Sequence, residues 1–297
     1  MYLALWYETK EELSLVKATK HWWPFFVLPT FAAFVIGFII PFGRGLYLSF
    51  CEFTTINRAT FVGFDNYIKA IRDTQFWDSM KFTVSFTVVS TILINVLAFT
   101  VALALTKGIK GTSLFRSVYF LPNLIGGIVL GYIWNILINC VLSVAGKPLL
   151  ALNSQAGFWG IIILMCWQQI GYMMIIYIAG LQSIPSDYLE AARIDGSGPW
   201  RTLFQIKIPN VMPSITICLF LTLTNSFKLF DQNLALTGGD PFHKTEMLAL
   251  NIYQNFYARS GGQWKGIGQA KAVIFCIVVV LISLVQLRLT RSKEVQQ

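Results

Sequence analysis

The sequence predicts an all-α membrane protein with six transmembrane helices and both termini in the cytoplasm. Three observations carry that reading. The 297-residue chain is 55% hydrophobic and only 12% charged, whereas soluble domains carry about a quarter charged residues. Its charge-free runs, at 22–43, 82–106, 117–146, 148–186, 208–227 and 272–287, approach or exceed the roughly 20 apolar residues a helix needs to cross a bilayer. Lysine and arginine gather in the segments that alternating spans leave on one side: Lys107, Lys110 and Arg116; Arg193, Arg201 and Lys207; Arg288, Arg291 and Lys293. The positive-inside rule puts that side, with the N-terminus, in the cytoplasm.

Residues 1–23 form a cytoplasmic N-terminal segment. Glu8, Lys10, Glu11, Glu12, Lys17 and Lys20 mix both signs there, unlike a cleavable signal peptide with its basic start and apolar core. The segment reads as an exposed helix closed by Trp22 and Trp23 at the membrane interface. The transmembrane domain runs over 24–291, and 292–297 is a C-terminal tail. Between the first two runs, 51–78 carries Phe53, Phe61, Phe64, Tyr67, Phe76 and Trp77 and reads as a short amphipathic helix and turn on the outer interface. The third run contains Pro122, Asn123, Gly126 and Gly127, a pattern for a kink with freed carbonyls or for a packing notch. The fourth holds one span plus its flanking turns. The last is short, and 266–270 can extend it across Lys271.

Between Pro185 and Pro213 lies a polar, charged island flanked by apolar runs. Asp187 can cap a helix, with Glu190 three residues on as its capping-box partner. Leu189, Ala191 and Ala192 favour helix, and the Asp195-Gly196-Ser197-Gly198 stretch breaks it. Pro199 suits the first turn of a second helix, whose apolar face is Trp200, Leu203, Phe204 and Ile208, and which Pro209 ends. Taken alone, the island is an ordinary loop helix pair; fixed to membrane on both sides, it is also a handle for something outside the bilayer.

Polar residues inside spans are costly and mark cavities or interhelical glue. Trp167, Gln168, Gln169 and Tyr172 in the fourth run suit a sugar, because amides pair hydroxyls and aromatic faces stack on ring C–H surfaces; glue by glutamine is the competing reading. Asn225 and Ser226 lie deep in the fifth run. Lys228 and Asp231, three apart on one helical face, can pair, unless Lys228 snorkels to the interface. Cys51, Cys140, Cys166, Cys218 and Cys276 are scattered and odd in number, which speaks against a disulfide framework. His21 and His243 are too few for a metal site, and no phosphate-cradling loop or hydrolase motif occurs. No catalytic residue and no cofactor is assigned to the chain. The net charge of +9 is mostly topology rather than a nucleic-acid patch.

Glu190, Ala191, Ala192, Asp195, Gly196, Trp200, Phe204, Ile206 and Pro209 resemble the EAA loop of ABC importer permeases. Arg116 through Pro122, with Gly126, Gly131 and Trp134, is similar to the third span of sugar-type permeases. Phe230-Asp231 and Leu236-Thr237-Gly238-Gly239-Asp240-Pro241 resemble the Phe-Asp and Leu-Thr-x-Gly-Gly-Pro signature of the same group, from which Asp240 departs. Phe61 through Tyr67 resembles its first outer loop. The likeness runs from about 24 to 291 and is to the carbohydrate (maltose/glycerol-phosphate-type) binding-protein-dependent transport family.

That resemblance implies a type I ABC importer permease fold in the inner membrane of a prokaryote. It implies a second permease subunit (a different chain, or a copy in a homodimer), two cytoplasmic ATPase subunits that hold ATP and magnesium, an extracytoplasmic solute-binding protein, lipid around the spans and a sugar as cargo, with no nucleic acid. In such a plan the island is the coupling loop. Tyr188, Leu189, Ala191 and Ala192 fill a groove on the ATPase, Glu190 finds a basic or amide partner there, and Asp195 and Gly196 set the turn. Asn123, Gly127, Trp167, Gln168, Gln169, Tyr172, Asn225, Ser226, Lys228 and Asp231 line the substrate path. Gly238, Gly239 and Pro241 meet the binding protein. The alternatives are a permease for another small solute, such as a glycerol phosphodiester, a polyol or an amino acid, and an integral membrane transferase. The near absence of carboxylates and histidines in the spans argues against the transferase.

Overall fold

The computed structural model describes residues 22–292 apart from 56 and 109. The expected helix at 1–21, with His21, lies outside the described residues, as do Lys293 and Glu294. Among the described residues, five helices are long and apolar enough to cross a bilayer: α1 (Trp22–Leu48), α3 (Thr74–Leu105), α5 (Gly127–Val144), α6 (Ser154–Gln182) and α12 (Gly262–Arg291). The fifth apolar run forms no straight span. It is α9 (Met212–Phe227), joined to α8 (Pro199–Asn210) across a 71° bend. Shorter helices are α2 (Asp65–Arg72), α4 (Thr112–Phe120), α7 (Ser186–Ile194), α10 (Asp231–Leu236) and α11 (Leu248–Tyr257).

The fold is not wholly helical. Within 51–78, where a helix and a turn were expected, an antiparallel hairpin of β1 (Cys51–Thr55) and β2 (Arg58–Phe61) precedes α2. Cys51 and Phe53 alternate inward against solvent-facing neighbours, the two-residue period of a half-buried strand. The buried Asn66 amide donates to the Ser49 and Cys51 carbonyls at 3.0 and 2.9 Å and ties α2 to the hairpin. The expected amphipathic helix is present as α2, braced by a Lys69–Asp65 pair.

Helix breaks follow from proline and glycine. In α1 a wider π-type turn over Val35–Ile39 precedes Pro41 and absorbs its missing N–H. The third run breaks where Pro122 and Gly126 predict it. α4 tightens into a 3₁₀ turn over Leu121–Leu124, and α5 starts after an extended Gly126. The carbonyl freed at Ile125 accepts the Gln168 amide at 3.2 Å. Pro209 does not end α8, contrary to expectation. A π-type turn over Leu203–Lys207 makes room for it, and the helix continues to Asn210.

The core is a packed trio of α3, α6 and α9 with Ile94, Ala98, Met173, Met174 and Cys218 at its centre. A buried polar ladder crosses it. Tyr177 donates to Asn95 Oδ1 at 2.6 Å, Asn95 Nδ2 to Thr222 at 2.9 Å, and Ser90 to Ser226 at 3.0 Å. Such interhelical bonds are worth about 0.6 kcal/mol each within a bilayer and fix register more than they add stability. α10 packs on α5, where Gly127 and Gly131 let Gln232 and Ala235 approach closely. α12 packs on β1, α2, α9 and α11. The most apolar window of α1 buries nothing against the rest of the chain; Phe34, Phe38 and Phe42 stack along one of its faces. All five cysteines are free.

Candidate functional site: a helix-pair handle, a polar crevice and a clamped loop

The island forms a helix pair that the rest of the chain leaves exposed. α7 begins two residues earlier than expected: Pro185 is its cap residue, no side chain caps it, and Asp187 sits in the first turn. The Asp187–Glu190 capping box is therefore absent, and Asp187 Oδ1 instead accepts Ser186 Oγ at 3.3 Å. The C-terminus closes with two bonds, Ser197 N–H to the Ala192 carbonyl at 2.9 Å and Gly196 N–H to the Arg193 carbonyl at 3.1 Å. That pattern requires a left-handed residue, and Gly196 has φ +68°. Pro199 opens α8 as expected.

Leu189 is half-buried and packs against the chain's own core, and Ala192 is buried yet lines the cleft between the two helices. Tyr188, Glu190, Ala191, Asp195 and Gly196 are exposed, together with Ile194, Trp200 and Phe204. Trp200 and Phe204 stack with ring centroids 6.2 Å apart. A cleft of about 370 Å³ between the helices is lined by Tyr188, Ala191, Asp195, Arg201 and Gln205, among others.

A crevice of about 290 Å³ opens where α6, α9 and α10 meet, lined by Gln169, Asn225, Lys228, Asp231 and Gln232 beside Met165 and Phe230. Five of the residues expected on the path are placed differently. Gln168 is spent on packing: it donates to Ile125 and accepts the Gln232 amide at 2.7 Å. Ser226 is fully buried on Ser90. Trp167 faces away, edge-on to Trp134 at 5.7 Å. Tyr172 packs against the core, and Gly127 is the notch for Asp231 and Gln232. Asn123, half-buried, sits in the 3₁₀ turn before α5. Lys228 and Asp231 share the crevice but not a helix, because α9 ends at Phe227 and α10 starts at Asp231; no ion pair joins them. Gln169 is 9% exposed and its Oε1 has no partner within the chain. That oxygen is left free to accept.

At the end of α6 opposite α7, residues 237–247 fold into a loop clamped by buried Asn233. That side chain donates to the Thr245 carbonyl at 2.7 Å and accepts the Met247 N–H at 3.0 Å. Gly238 and Gly239 have φ +60° and +95°, so glycine is needed at both. Asp240 is exposed, and its carbonyl accepts Thr245 Oγ1 at 2.6 Å; the departure at this position leaves the loop tightly hydrogen-bonded.

Sequence reasoning missed the charges beneath this loop. Lys271, treated as a residue the last span runs across, is fully buried and donates to Asp73 Oδ2 at 2.6 Å and Asn251 Oδ1 at 2.9 Å. Glu246 is also fully buried. A lysine between alanines in an apolar helix was the available signal. Burial raises the Asp73 carboxyl, but the Lys271 hydrogen bond and charge, the Gln75 N–H and the Arg259 charge outweigh it and hold it below the usual carboxylate range.

A membrane-length helical bundle with a polar crevice and an exposed helix pair attached to the crevice helices defines a membrane transport subunit. The chain belongs to the family of binding-protein-dependent transport system inner membrane components, matched over residues 95–294. It is 40% identical to the probable starch degradation products transport system permease protein AmyD of Thermoanaerobacterium thermosulfurigenes, over 93% of this chain and 96% of the relative. It is 32% identical to the multiple sugar-binding transport system permease protein MsmF of Streptococcus mutans, over 93% and 97%. Its fold matches a chain in the crystal structure of a bacterial alginate ABC transporter in complex with an alginate pentasaccharide-bound periplasmic protein. That match has a TM-score of 0.78 at 20% identity and covers 93% of this chain and 96% of that one.

Proposed function

We propose that the chain is a transmembrane permease subunit of an ATP-driven importer for sugars or oligosaccharides. The observation that carries this reading is mechanical. α6 leads into α7 through only three residues, Ser183 to Pro185, and α8 bends into α9, so the exposed helix pair is tied by short links to two of the helices that line the crevice. A push on the pair moves the crevice walls. The exposed Tyr188, Ala191, Ile194, Trp200 and Phe204 give a partner an apolar grip, and Glu190 and Arg193 supply charge at its rim. An ATPase that closes on ATP supplies the push, and the crevice faces one side at a time. The sugar class rests on the relatives' transport systems and on the crevice itself, in which Gln169, Asn225 and Gln232 offer amides for hydroxyls.

In this reading the chain crosses the cell membrane of a prokaryote six times, the bent pair α8–α9 supplying the fifth crossing, with both termini in the cytoplasm. It pairs with a second permease subunit, engages two ATPase subunits that bind ATP and magnesium, and receives solute from a binding protein at the Gly238-Gly239-Pro241 loop. Co-purification in mild detergent tests the coupling. The wild-type chain is expected to bring down an ATPase subunit and a second permease, and Gly196→Pro to lose the ATPase, because proline cannot adopt the positive φ that aims the pair. Recovery of no ATPase with the wild-type chain would overturn the reading. In vesicles, Gln169→Ala and Asn225→Ala are each expected to raise the transport KM about tenfold, the loss of about one hydrogen bond to solute, with the ATPase rate unchanged. An unaltered KM would remove these residues from the path.

A further inference from the structure

Two fully buried charges of opposite sign, Glu246 and Lys271, lie beneath the clamped loop, and neither belongs to the crevice or the helix pair. They are ends of one hydrogen-bonded chain. The exposed His243 Nδ1 meets Glu246 Oε2 at 2.7 Å, and Gln75 Nε2 donates to the same oxygen at 2.7 Å. Gln75 Oε1 accepts Arg259 Nη2 at 3.0 Å, and the Gln75 N–H donates to Asp73 Oδ1 at 3.0 Å. Asp73 Oδ2 receives Lys271. The chain thus starts on the loop, crosses the first turn of α3 and ends inside the last long helix, α12.

Three observations separate this chain from ordinary packing. An apolar side chain would fill the place of Lys271 without the cost of burying a cation, and ionisable groups within a membrane helix mark working parts. Glu246 Oε1 is buried with no partner, although a purely structural network would satisfy it. The loop above is stiff and strained: Phe242 and His243 have φ +51° and +60°, a region non-glycine residues seldom occupy. That strained tip holds Phe242 88% exposed, where a docking partner meets it first.

We infer that Glu246 and Lys271 are positioning residues that transmit docking of the solute-binding protein on the Phe242 tip to α12. The inference rests on the importer reading above. Docking displaces His243 from Glu246. The freed carboxylate, with its second oxygen already unpaired, turns toward Arg259 and Lys271, and the Asp73–Lys271 contact between α3 and α12 shifts with it.

The test uses the whole complex in lipid vesicles: this chain, its permease partner, the ATPase subunits, and the binding protein loaded with a starch hydrolysate. ATP hydrolysis is measured with and without the loaded binding protein. For Glu246→Gln the basal rate is expected within twofold of wild type, with stimulation by the binding protein reduced at least fivefold. Phe242→Ala is expected to lose stimulation in the same way, and Lys271→Arg to retain it where Lys271→Met does not. Full stimulation of Glu246→Gln would overturn the inference. So would a parallel fall of basal and stimulated rates, which is the mark of a merely structural role. A wild-type complex that the loaded binding protein does not stimulate would overturn the importer reading itself and the inference with it.

Discussion

Gly171→Ala is expected to remove most of the folded protein from the membrane. Gly171 is the point where α6 passes α4, and a Cβ there would overlap the Tyr119 carbonyl and stand 2.8 Å from the Phe120 nitrogen. Both obstacles are backbone, so no rotamer change relieves them, and the two helices must separate along their contact. Overpacking of this kind costs about 1–3 kcal/mol and more where nothing yields, against total stabilities of roughly 5–15 kcal/mol. The helix propensity gained by alanine, about 1 kcal/mol, recovers only part. Gly180→Ala is the graded comparison: its Cβ meets the Ser214 hydroxyl, which can turn away, and the Ser214 Cβ at 2.9 Å, which can yield only by a small shift of its helix. Gly37→Ala is the control: nothing lies within 4 Å of its added methyl. Thermal midpoints in detergent are expected to fall in the order Gly171→Ala far below Gly180→Ala, with Gly37→Ala at or above wild type. Equal midpoints for the first and last would mean that α4 and α6 do not pack as closely as described.

Five of the apolar runs were legible as membrane-length helices because a bilayer sets a length, and an uncharged stretch of that length has few other uses. The break at Pro122 and Gly126 and the left-handed turn at Gly196 were legible for a local reason: proline lacks a donor, and glycine tolerates positive φ. What depended on other parts of the chain was not legible. Gln168 and Gln169 are adjacent and chemically identical, yet they point about 100° apart on a helix of 3.6 residues per turn. One is consumed by Ile125 and Gln232 and the other faces the crevice. Lys228 and Asp231 have helical spacing, but α9 ends at Phe227 and α10 starts only at Asp231, with no glycine or proline to announce the break. The hairpin at 51–61 lacks the Asn-Gly or Asp-Gly pair that marks a short turn, so its aromatic and threonine residues read as an interfacial helix. The Glu246–Gln75 and Lys271–Asp73 contacts join residues 171 and 198 positions apart, a distance over which spacing carries no signal.

Lys271→Met is expected to destabilise the protein by about 3–5 kcal/mol, the cost of leaving one member of a buried ion pair unpaired. The Lys271 side chain is fully buried and that of Asp73 is 20% exposed, so the stranded carboxylate is only partly reached by water. Asp73→Asn keeps the cap, since asparagine still accepts from the Gln75 N–H, but it strands the fully buried Lys271 cation and should cost a similar amount. The double variant Lys271→Met/Asp73→Leu should recover much of the loss, because removing both charges removes both desolvation penalties, minus about 1 kcal/mol for the missing cap. Acid separates these cases further. In the wild type Asp73 titrates below its ordinary value; its contribution is therefore complete above the unfolded carboxylate pKa of about 4 and is lost as pH falls through the lower folded value. Without Lys271, its hydrogen bond and charge no longer lower Asp73, while burial still raises it; less stability is then lost as pH falls, and Lys271→Met should gain stability relative to wild type on acidification. Thermal midpoints of both proteins in detergent between pH 7 and pH 3 should therefore converge. Parallel curves would show that Asp73 and Lys271 do not share charge in the folded protein, and would remove the last link of the chain that ties the clamped loop to α12.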